Sequence, residues 1–308
     1  MAVEMKNESN GGIDLYALPE GCIANALSLT SPRDACRLSL VASTFRSAAL
    51  CDEVWERFFP ADYRDVLCRS AEGIELLRSA ISMKQLYLHL CDKPVLIDGG
   101  TKSFSLEKSS GKKCYMLAAR DLTIVWSDTP RYWKWIPLPE SRFSVVAELL
   151  DVCWLEIRGK IRTSMLSPET NYAAYLVFTS KSRIYGFEYQ PAEAEVGISG
   201  QEGKKQAVHL DPDGAQRPGH QIMPRWRRGL FGHHLAGRMI YQETLHADQD
   251  VQNPRQRGDG WMEVELGEIF IKEGQDVDLE MSLMEVKGGN WKSGLIVEGI
   301  EIRPKEGK

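Results

Sequence analysis

The chain has 308 residues and a mass of 34.7 kDa, about the size of two domains, and its 43% apolar content rules out a wholly disordered chain. A formal net charge of −5 lacks the basic excess of a general nucleic-acid-binding protein. The longest apolar run, 172–178, is far shorter than the ~20 residues that cross a bilayer. No positively flanked apolar signal segment opens the sequence, so we expect a cytosolic or nuclear protein without a membrane partner.

The N-terminal third predicts short helices. Residues 1–13 are polar without apolar periodicity, which predicts a disordered tail. A first helix is expected after Leu18-Pro19-Glu20, and Ser31 followed by Pro32 and Asp34 is typical of a capped second helix. Further apolar residues at helical spacing continue to Pro60, and two more helical patterns fill 61–93, which we predict to be a helical linker.

The apolar period changes from helical to two after Pro94. Alternation marks strands at several places, including Leu155 and Ile157 and the run from Val277 to Leu283. Because Gly-rich and Asp/Pro-rich turns separate these strands and no long helical pattern interrupts them, we predict an antiparallel β-sandwich over 94–308. Within it, the polar, Gly/Pro-rich stretch at about 193–260 predicts long loops.

The helical segment over 14–60 resembles an F-box. The resemblance rests on its opening, its capped second helix and its aromatic close: Leu18-Pro19-Glu20, Ile23, Leu27-Ser28-Leu29, Ser31-Pro32-Arg33-Asp34, Leu38, Val41, Phe45 and Asp52-Glu53-Val54-Trp55-Glu56-Arg57-Phe58. F-boxes dock on the Skp-type adaptor, and through it on the cullin, of ubiquitin ligases. A segment of about 45 residues with Leu, Val and aromatic side chains on several faces is expected to need such a partner.

The resemblance implies which side chains meet the adaptor. They are the apolar positions of the motif: Leu18, Pro19, Ile23, Leu27, Leu29, Pro32, Leu38, Val41, Phe45, Trp55 and Phe58. A helical bundle that packs only on its own neighbours is the alternative for this segment.

The strand-rich segment resembles the phloem protein 2 lectins of plants over most of 113–304. The matching stretches include Cys114–Leu122, Tyr132-Trp133-Lys134-Trp135, Trp154–Ile161, Tyr172–Phe178, Arg257–Glu263 and Trp291-Lys292-Ser293-Gly294. This family implies a β-sandwich that recognises N-acetylglucosamine oligomers or N-glycan cores. An F-box followed by this domain resembles the B group of plant phloem protein 2 proteins.

Candidate sugar contacts follow partly from the residues and partly from the resemblance. A pyranose needs an aromatic plane beside hydrogen-bonding acceptors, and Trp126, Trp133 and Trp135 lie within ten residues around a turn sequence. The resemblance implicates Trp126, Trp133, Asp278 and Glu285, although Asp278 stands where the lectin pattern has Glu.

Alternation lets us predict how these candidates are placed. Trp126 is in phase with Ile124 and is expected nearer the core, whereas Trp133 is expected on an exposed loop. Alternation also puts Asp278 and Glu285 on opposite faces of one strand, so both reach one ligand only if a bulge or a strand end intervenes.

Other signals are weaker. The basic and aromatic run Arg225-Trp226-Arg227-Arg228 is more typical of a solvated loop than of an RNA-binding site, so no nucleic-acid partner is expected. The histidines lack metal-ligand spacing, the seven cysteines contain no Cys-x-x-Cys, and Gly-rich phosphate motifs are absent. The sequence therefore predicts no metal and no cofactor.

Together these patterns predict an α+β multidomain protein, with an N-terminal short-helix F-box followed by a mainly antiparallel, lectin-like β-sandwich. The predicted function is a non-enzymatic substrate receptor of a Skp-cullin-F-box ubiquitin ligase that binds glycosylated targets. Two alternatives stay open at this point. In one, the sandwich binds a polypeptide or small molecule without recognising sugar; in the other, it is a carbohydrate-cleaving enzyme.

Overall fold

A computed structural model of the chain describes residues 18–188, 190–211 and 251–305. The predicted tail, 1–13, and the basic run, 225–228, lie outside these residues. The chain divides into two compact units. The first unit comprises residues up to Gly99 together with Ser103–Tyr115, and the second comprises Gly100–Lys102 and the residues from Met116 onward.

The described part of the first unit is built mainly from short helices, as the sequence predicted. Serine side chains begin three of them: Ser31, Ser70 and Ser82 each accept a hydrogen bond from a backbone N–H three residues later, which caps the helix. The helices are α1 (Glu20–Ser28), α2 (Pro32–Leu38), α3 (Ser43–Ala48), α4 (Asp52–Glu56), α5 (Tyr63–Leu67), α6 (Ala71–Ser79) and α7 (Met83–Asp92).

An aromatic cluster holds α4, α5 and α7 together. The ring of Trp55 lies 5.7 Å from that of Phe58 and 5.3 Å from that of Tyr87, and Phe59 lies 4.3 Å from Tyr63. The Trp55 indole N–H donates to a backbone carbonyl at 2.7 Å, so this buried ring leaves no polar atom unpaired. The helices over 61–93 therefore pack on the end of the segment that resembles an F-box.

Strands make up most of the second unit. Three strands precede the rest: β1 (Val95–Ile97) belongs to the first unit, and β2 (Lys102–Leu106) and β3 (Lys113–Ala118) each contain residues of both units. The others are β4 (Thr123–Ile124), β5 (Trp133–Ile136), β6 (Val146–Leu149), β7 (Leu155–Arg162), β8 (Thr170–Tyr185), β9 (Ala192–Ile198), β10 (Lys204–Val208), β11 (Arg255–Gln256), β12 (Met262–Ile271), β13 (Asp278–Glu285) and β14 (Ser293–Pro304).

Two sheets face each other in the second unit. The smaller has the strand order β10-β9-β13-β7-β4, and the larger contains the run β14-β8-β12-β11, in which β14 also pairs with β6 and β6 in turn pairs with β5. The ladders between these strands are antiparallel. Close packing between the sheets leaves little room at Gly159, where a Cβ atom would lie 3.1 Å from the side chains of Ile300 and Leu122. The predicted order of short helices followed by antiparallel sheets is confirmed.

The stretch predicted to form long loops begins instead with a hairpin. Residues 192–208 form β9 and β10, because alternating small apolar and acidic residues bury Ala194 and Val196 and leave Glu193 and Glu195 on the outer face. Residues 212–250 of that stretch lie outside the described residues.

Candidate functional site

The predicted adaptor contacts separate into buried and exposed side chains. Ile23, Leu27, Pro32, Trp55 and Phe58 are buried within the first unit. The two aromatic residues were expected on an accessible face, and that expectation is wrong, because Trp55 and Phe58 pack on each other and Tyr87 of α7 packs on Trp55. Leu38 and Phe45 are half-buried.

Part of the exposed surface of the first unit is aliphatic. Leu18, Pro19, Leu29 and Val41 of the predicted set are exposed, and so are Leu40 and Leu50, which sequence reasoning missed. Leu40 and Val41 lie in the turn between α2 and α3, and Leu50 lies between α3 and α4. The sequence did carry a signal for this exposure, because these apolar residues lie in turns and are out of phase with the buried face of the preceding helix.

Trp126 adopts a strained backbone at the end of β4. Its φ is +61°, in the left-handed region that a bulky residue rarely occupies, at a cost of about 1–3 kcal/mol. This conformation ends the alternation begun at Leu122 and Ile124, so the ring is 39% exposed and lies 5.3 Å from Tyr132. The expectation that Trp126 continues the core series is wrong for this reason.

Trp133 and Trp135 hold the backbone on both sides of Trp126. The Trp133 indole N–H donates to the carbonyl of Val125, and the Trp135 indole N–H donates to the carbonyl of Ser127, both at 3.1 Å. Trp133 pairs with Leu149 in the β5–β6 ladder and is only 2% exposed. Its predicted exposure is therefore wrong, since it begins a strand instead of lying in a loop.

A cleft of about 600 Å³ lies beside this segment, lined by Arg120, Ser127, Asp128, Pro130 and 133–135. The Arg120 guanidinium stacks on the Trp135 ring at 3.7 Å from its centroid. Of the predicted candidates, the fold thus brings Trp126, Trp133 and Trp135 together.

The two predicted acids lie far apart. Strand β13 pairs with β7 and β9 without a register shift, so no bulge intervenes and alternation places Asp278 and Glu285 on opposite faces. They are also seven positions apart, which corresponds to roughly 23 Å along an extended strand. Asp278 lies on the outer face, 3.0 Å from the Lys160 ammonium, whose pKa it raises through this hydrogen bond.

Glu285 faces the interior and forms a buried ion pair with Lys292. The Lys292 ammonium also donates to the carbonyls of Cys153 at 2.9 Å and Asn290 at 2.8 Å. Burial lowers the pKa of Lys292, and the Glu285 carboxylate is the opposite charge beside it in this buried site. In this geometry Glu285 joins two connecting segments and is not open to a ligand.

Two further tryptophans, not among the predicted contacts, are exposed at the same end of the second unit. Trp154 precedes β7 and Trp291 precedes β14. The Trp154 indole N–H donates to Glu156 at 2.9 Å, and this bond, together with Arg158, lowers the pKa of the Glu156 carboxyl. The inward phase of Leu155 and Ile157 already implied that Trp154 points outward.

No group of three or more His, Cys, Asp or Glu residues is placed to hold a metal ion among the described residues. No described helix is both long enough and apolar enough to cross a membrane.

Comparison with known proteins gives one family match and several close relatives. The model of the family "Phloem protein 2" matches residues 112–304. The chain is 47% identical over 296 residues to Arabidopsis thaliana "F-box protein At2g02240", covering 96% of this chain and 82% of that protein. It is 42% identical over 318 residues to "F-box protein PP2-B1" and 44% identical over 290 residues to "F-box protein PP2-B10" of the same plant. Both alignments cover 94% of this chain, with 89% and 93% of the two relatives.

Proposed function

The chain belongs to the plant F-box proteins that carry a phloem protein 2 domain, and on this basis we propose that it is the substrate-recognition subunit of a Skp-cullin-F-box ubiquitin ligase. In this proposal the first unit binds the Skp-type adaptor, and through it the cullin. The second unit captures a glycosylated target that displays N-acetylglucosamine oligomers or N-glycan cores. The chain performs no chemistry of its own, and the ligase transfers ubiquitin.

Exposed aliphatic side chains in the first unit are the observation that carries the adaptor part. Six large apolar side chains are exposed among the described residues of that unit, and five of them fall between residues 18 and 50: Leu18, Leu29, Leu40, Val41 and Leu50. Large apolar side chains left in water are typical of a surface that a protein partner covers. The buried members of the motif, such as Ile23 and Leu27, support this surface from within.

The glycan part is supported by the phloem protein 2 match and by the strained tryptophan. Backbone strain at a bulky residue persists only where the surroundings enforce it, and here the indoles of Trp133 and Trp135 hold the neighbouring carbonyls. The outcome is an accessible indole at position 126, which suits stacking on the apolar face of a pyranose.

A second candidate function keeps the adaptor surface and gives the second unit a polypeptide or small-molecule target. The observation that favours it concerns the two acids. Glu285 is buried against Lys292, and Asp278 lies on the opposite face of the strand beside Lys160, so the two carboxylates do not form one sugar site.

Co-purification of the full chain with a Skp-type adaptor tests the adaptor part. Leu40→Asp and Val41→Asp place a charge in the exposed aliphatic surface, and we expect the adaptor yield to fall at least tenfold. Ile81→Asp is the matched control, because Ile81 is 88% exposed in the same unit but lies outside 18–50. Wild-type yield from both surface variants, with unchanged circular dichroism, would contradict the adaptor assignment.

A glycan array with the full chain tests the glycan part. Selective binding of N-acetylglucosamine oligomers or N-glycan cores without cleavage supports the lectin function. Release of shortened products would indicate an enzyme instead. Absence of binding to every glycan on the array would favour the polypeptide or small-molecule target.

A further inference from the structure

Trp154 and Trp291 are the most exposed tryptophans among the described residues, at 44% and 52%. The second unit buries two other large rings, Trp133 and Trp261. Trp154 and Trp291, by contrast, are exposed to solvent. Exposed large aromatic side chains that lie near one another mark binding sites more often than chance, and single scattered ones need no explanation. The position of these two rings in the fold therefore decides what they mean.

Backbone pairing brings the two tryptophans and Trp126 to one end of the second unit. We call this the loop end, formed by residues 125–132, 150–154 and 286–292. Val152 and Lys292 exchange backbone hydrogen bonds at 3.0 and 2.7 Å, which sets Cys153 and Trp291 side by side. The Val125 N–H donates to the Glu156 carbonyl at 3.1 Å, and the N–H groups of Leu150 and Asp151 donate to the Tyr132 carbonyl.

The one polar group of the Trp154 side chain, its indole N–H, already has a hydrogen-bond partner. Its indole N–H donates to Glu156 at 2.9 Å, and the Arg158 guanidinium holds the same carboxylate at 2.6 Å. The ring is thereby fixed in orientation before any ligand arrives, and the surface that it still exposes is apolar. A ligand that stacks on this ring loses little free energy to ordering the side chain.

Charge at the loop end disfavours an anionic ligand. Lys292 pairs with Glu285, the Lys287 ammonium lies 3.5 Å from Glu193, and the Arg131 guanidinium lies over the Tyr132 ring. The described residues of the loop end therefore contain no cluster of free cations that could bind a phosphate or an acidic peptide. Glu156 is engaged by Trp154 and Arg158, and Glu285 by Lys292, so the exposed carboxylates of Asp128 and Asp151 are the acceptors that this end offers to a ligand.

We infer that Trp154 and Trp291 form a stacking subsite for an uncharged oligosaccharide, beside Trp126. The inference rests on the glycan part of the proposed function, and it assigns the sugar contacts to residues that the family resemblance did not name. A pyranose offers an apolar C–H face to the indoles, while its hydroxyls can donate to the exposed carboxylates of Asp128 and Asp151. Rings on three connected segments favour an oligomer over a single sugar.

The first test measures binding of an N-acetylglucosamine oligomer to the full chain by calorimetry. Trp154→Ala and Trp291→Ala are each expected to weaken binding at least tenfold, and binding of the monosaccharide is expected to be weaker than that of the oligomer in the wild type. Phe270→Ala is the matched control. Phe270 is 48% exposed on β12 and pairs with Asn171, near the start of β8, whereas β8 reaches the loop end with Tyr185.

The second test reports on each ring without removing it. The chain has eight tryptophans, which can be labelled with fluorotryptophan and observed by fluorine NMR. Trp154→Phe and Trp291→Phe identify the two resonances. The inference expects these resonances to shift on titration with the oligomer and to stay unchanged on titration with a lysine-rich peptide.

The outcomes separate this inference from the proposed function. If the wild type binds the oligomer while both alanine variants keep wild-type affinity, the subsite is refuted and the lectin function stands. If the wild type binds no glycan, both fail, and adaptor co-purification still decides the ligase part on its own. Shifts caused by the peptide and not by the oligomer would overturn the assignment to sugar.

Discussion

The helical unit and the loop end of the sandwich use their apolar residues in opposite ways. The helical unit buries its aromatic rings, with Trp55 and Tyr87 at the centre, and exposes aliphatic side chains such as Leu40 and Val41. The loop end exposes indoles and buries an ion pair. Aliphatic side chains suit a dry contact with another protein, whereas flat indoles with satisfied polar edges suit a ligand that has both an apolar face and hydroxyl groups. The proposed function assigns these two surfaces to two kinds of partner for this reason.

The largest expected effect comes from breaking the buried ion pair at the loop end. Lys292→Met leaves the Glu285 carboxylate buried without its partner, which we expect to lower the free energy of unfolding by about 3–5 kcal/mol. Urea denaturation of the full chain measures it. The double variant Lys292→Met, Glu285→Leu removes both charges and should recover much of the loss. A double variant no more stable than the single one would show that Lys292 acts mainly through its bonds to the two backbone carbonyls.

A pair of tryptophan truncations sharpens the contrast between the regions. Trp55→Ala removes a fully buried ring and its hydrogen bond, so we expect it to lower the free energy of unfolding by about 3–5 kcal/mol. Trp154→Ala removes a ring that is nearly half exposed and should cost no more than about 1 kcal/mol. Equal losses in urea denaturation would mean that the loop-end tryptophan is a packing residue, against the proposed subsite.

Trp126→Gly should change stability and sugar binding in opposite directions. Glycine adopts a φ of +61° without strain, so the free energy of unfolding should rise by up to about 1 kcal/mol, reduced by the lost contact with Tyr132. Affinity for an N-acetylglucosamine oligomer should fall at the same time. Thermal melting and calorimetry on the same sample measure both quantities. A destabilised variant would show that the Trp126 ring contributes to packing more than its backbone costs.

The smallest effect concerns Glu298, a buried acid away from both surfaces. Burial raises the pKa of this carboxyl, although the Arg142 N–H and the Ser141 hydroxyl donate to it. Because the native state holds this proton more tightly than the unfolded chain does, the Glu298 contribution to stability is largest below its unfolded pKa and is lost as pH rises through its native pKa.

Glu298→Gln removes that titration while keeping an acceptor for both donors. We expect the variant to gain up to about 1 kcal/mol over the wild type at neutral pH, and the difference to vanish in acid. Melting temperatures of the two proteins across the acidic to neutral range measure it. A difference that does not depend on pH would argue against a raised pKa.

Local patterns predicted much of the fold correctly. The Ser31 and Ser82 caps, the helices on either side of them and the change to alternating strands after Pro94 all depend on residues within a few positions of one another. The regular strand from Asp278 to Glu285 likewise followed from its alternation, including the opposite orientation of its two acids. The F-box and phloem protein 2 resemblances were also visible in the residues, and the relatives bear them out.

Which tryptophans are exposed was decided only by the tertiary structure. Trp133 is buried because its strand pairs with β6, and Trp126 is exposed because a left-handed backbone ends the strand before it. Trp154 and Trp291 share one end of the sandwich because Lys292 bonds to the carbonyl of Cys153, 139 residues away in sequence. Period and propensity describe a residue and its near neighbours, whereas the burial of a side chain depends on which distant strand packs over it. The sequence therefore determined the elements and the family, and the pairing of distant strands determined the surface that a ligand would meet.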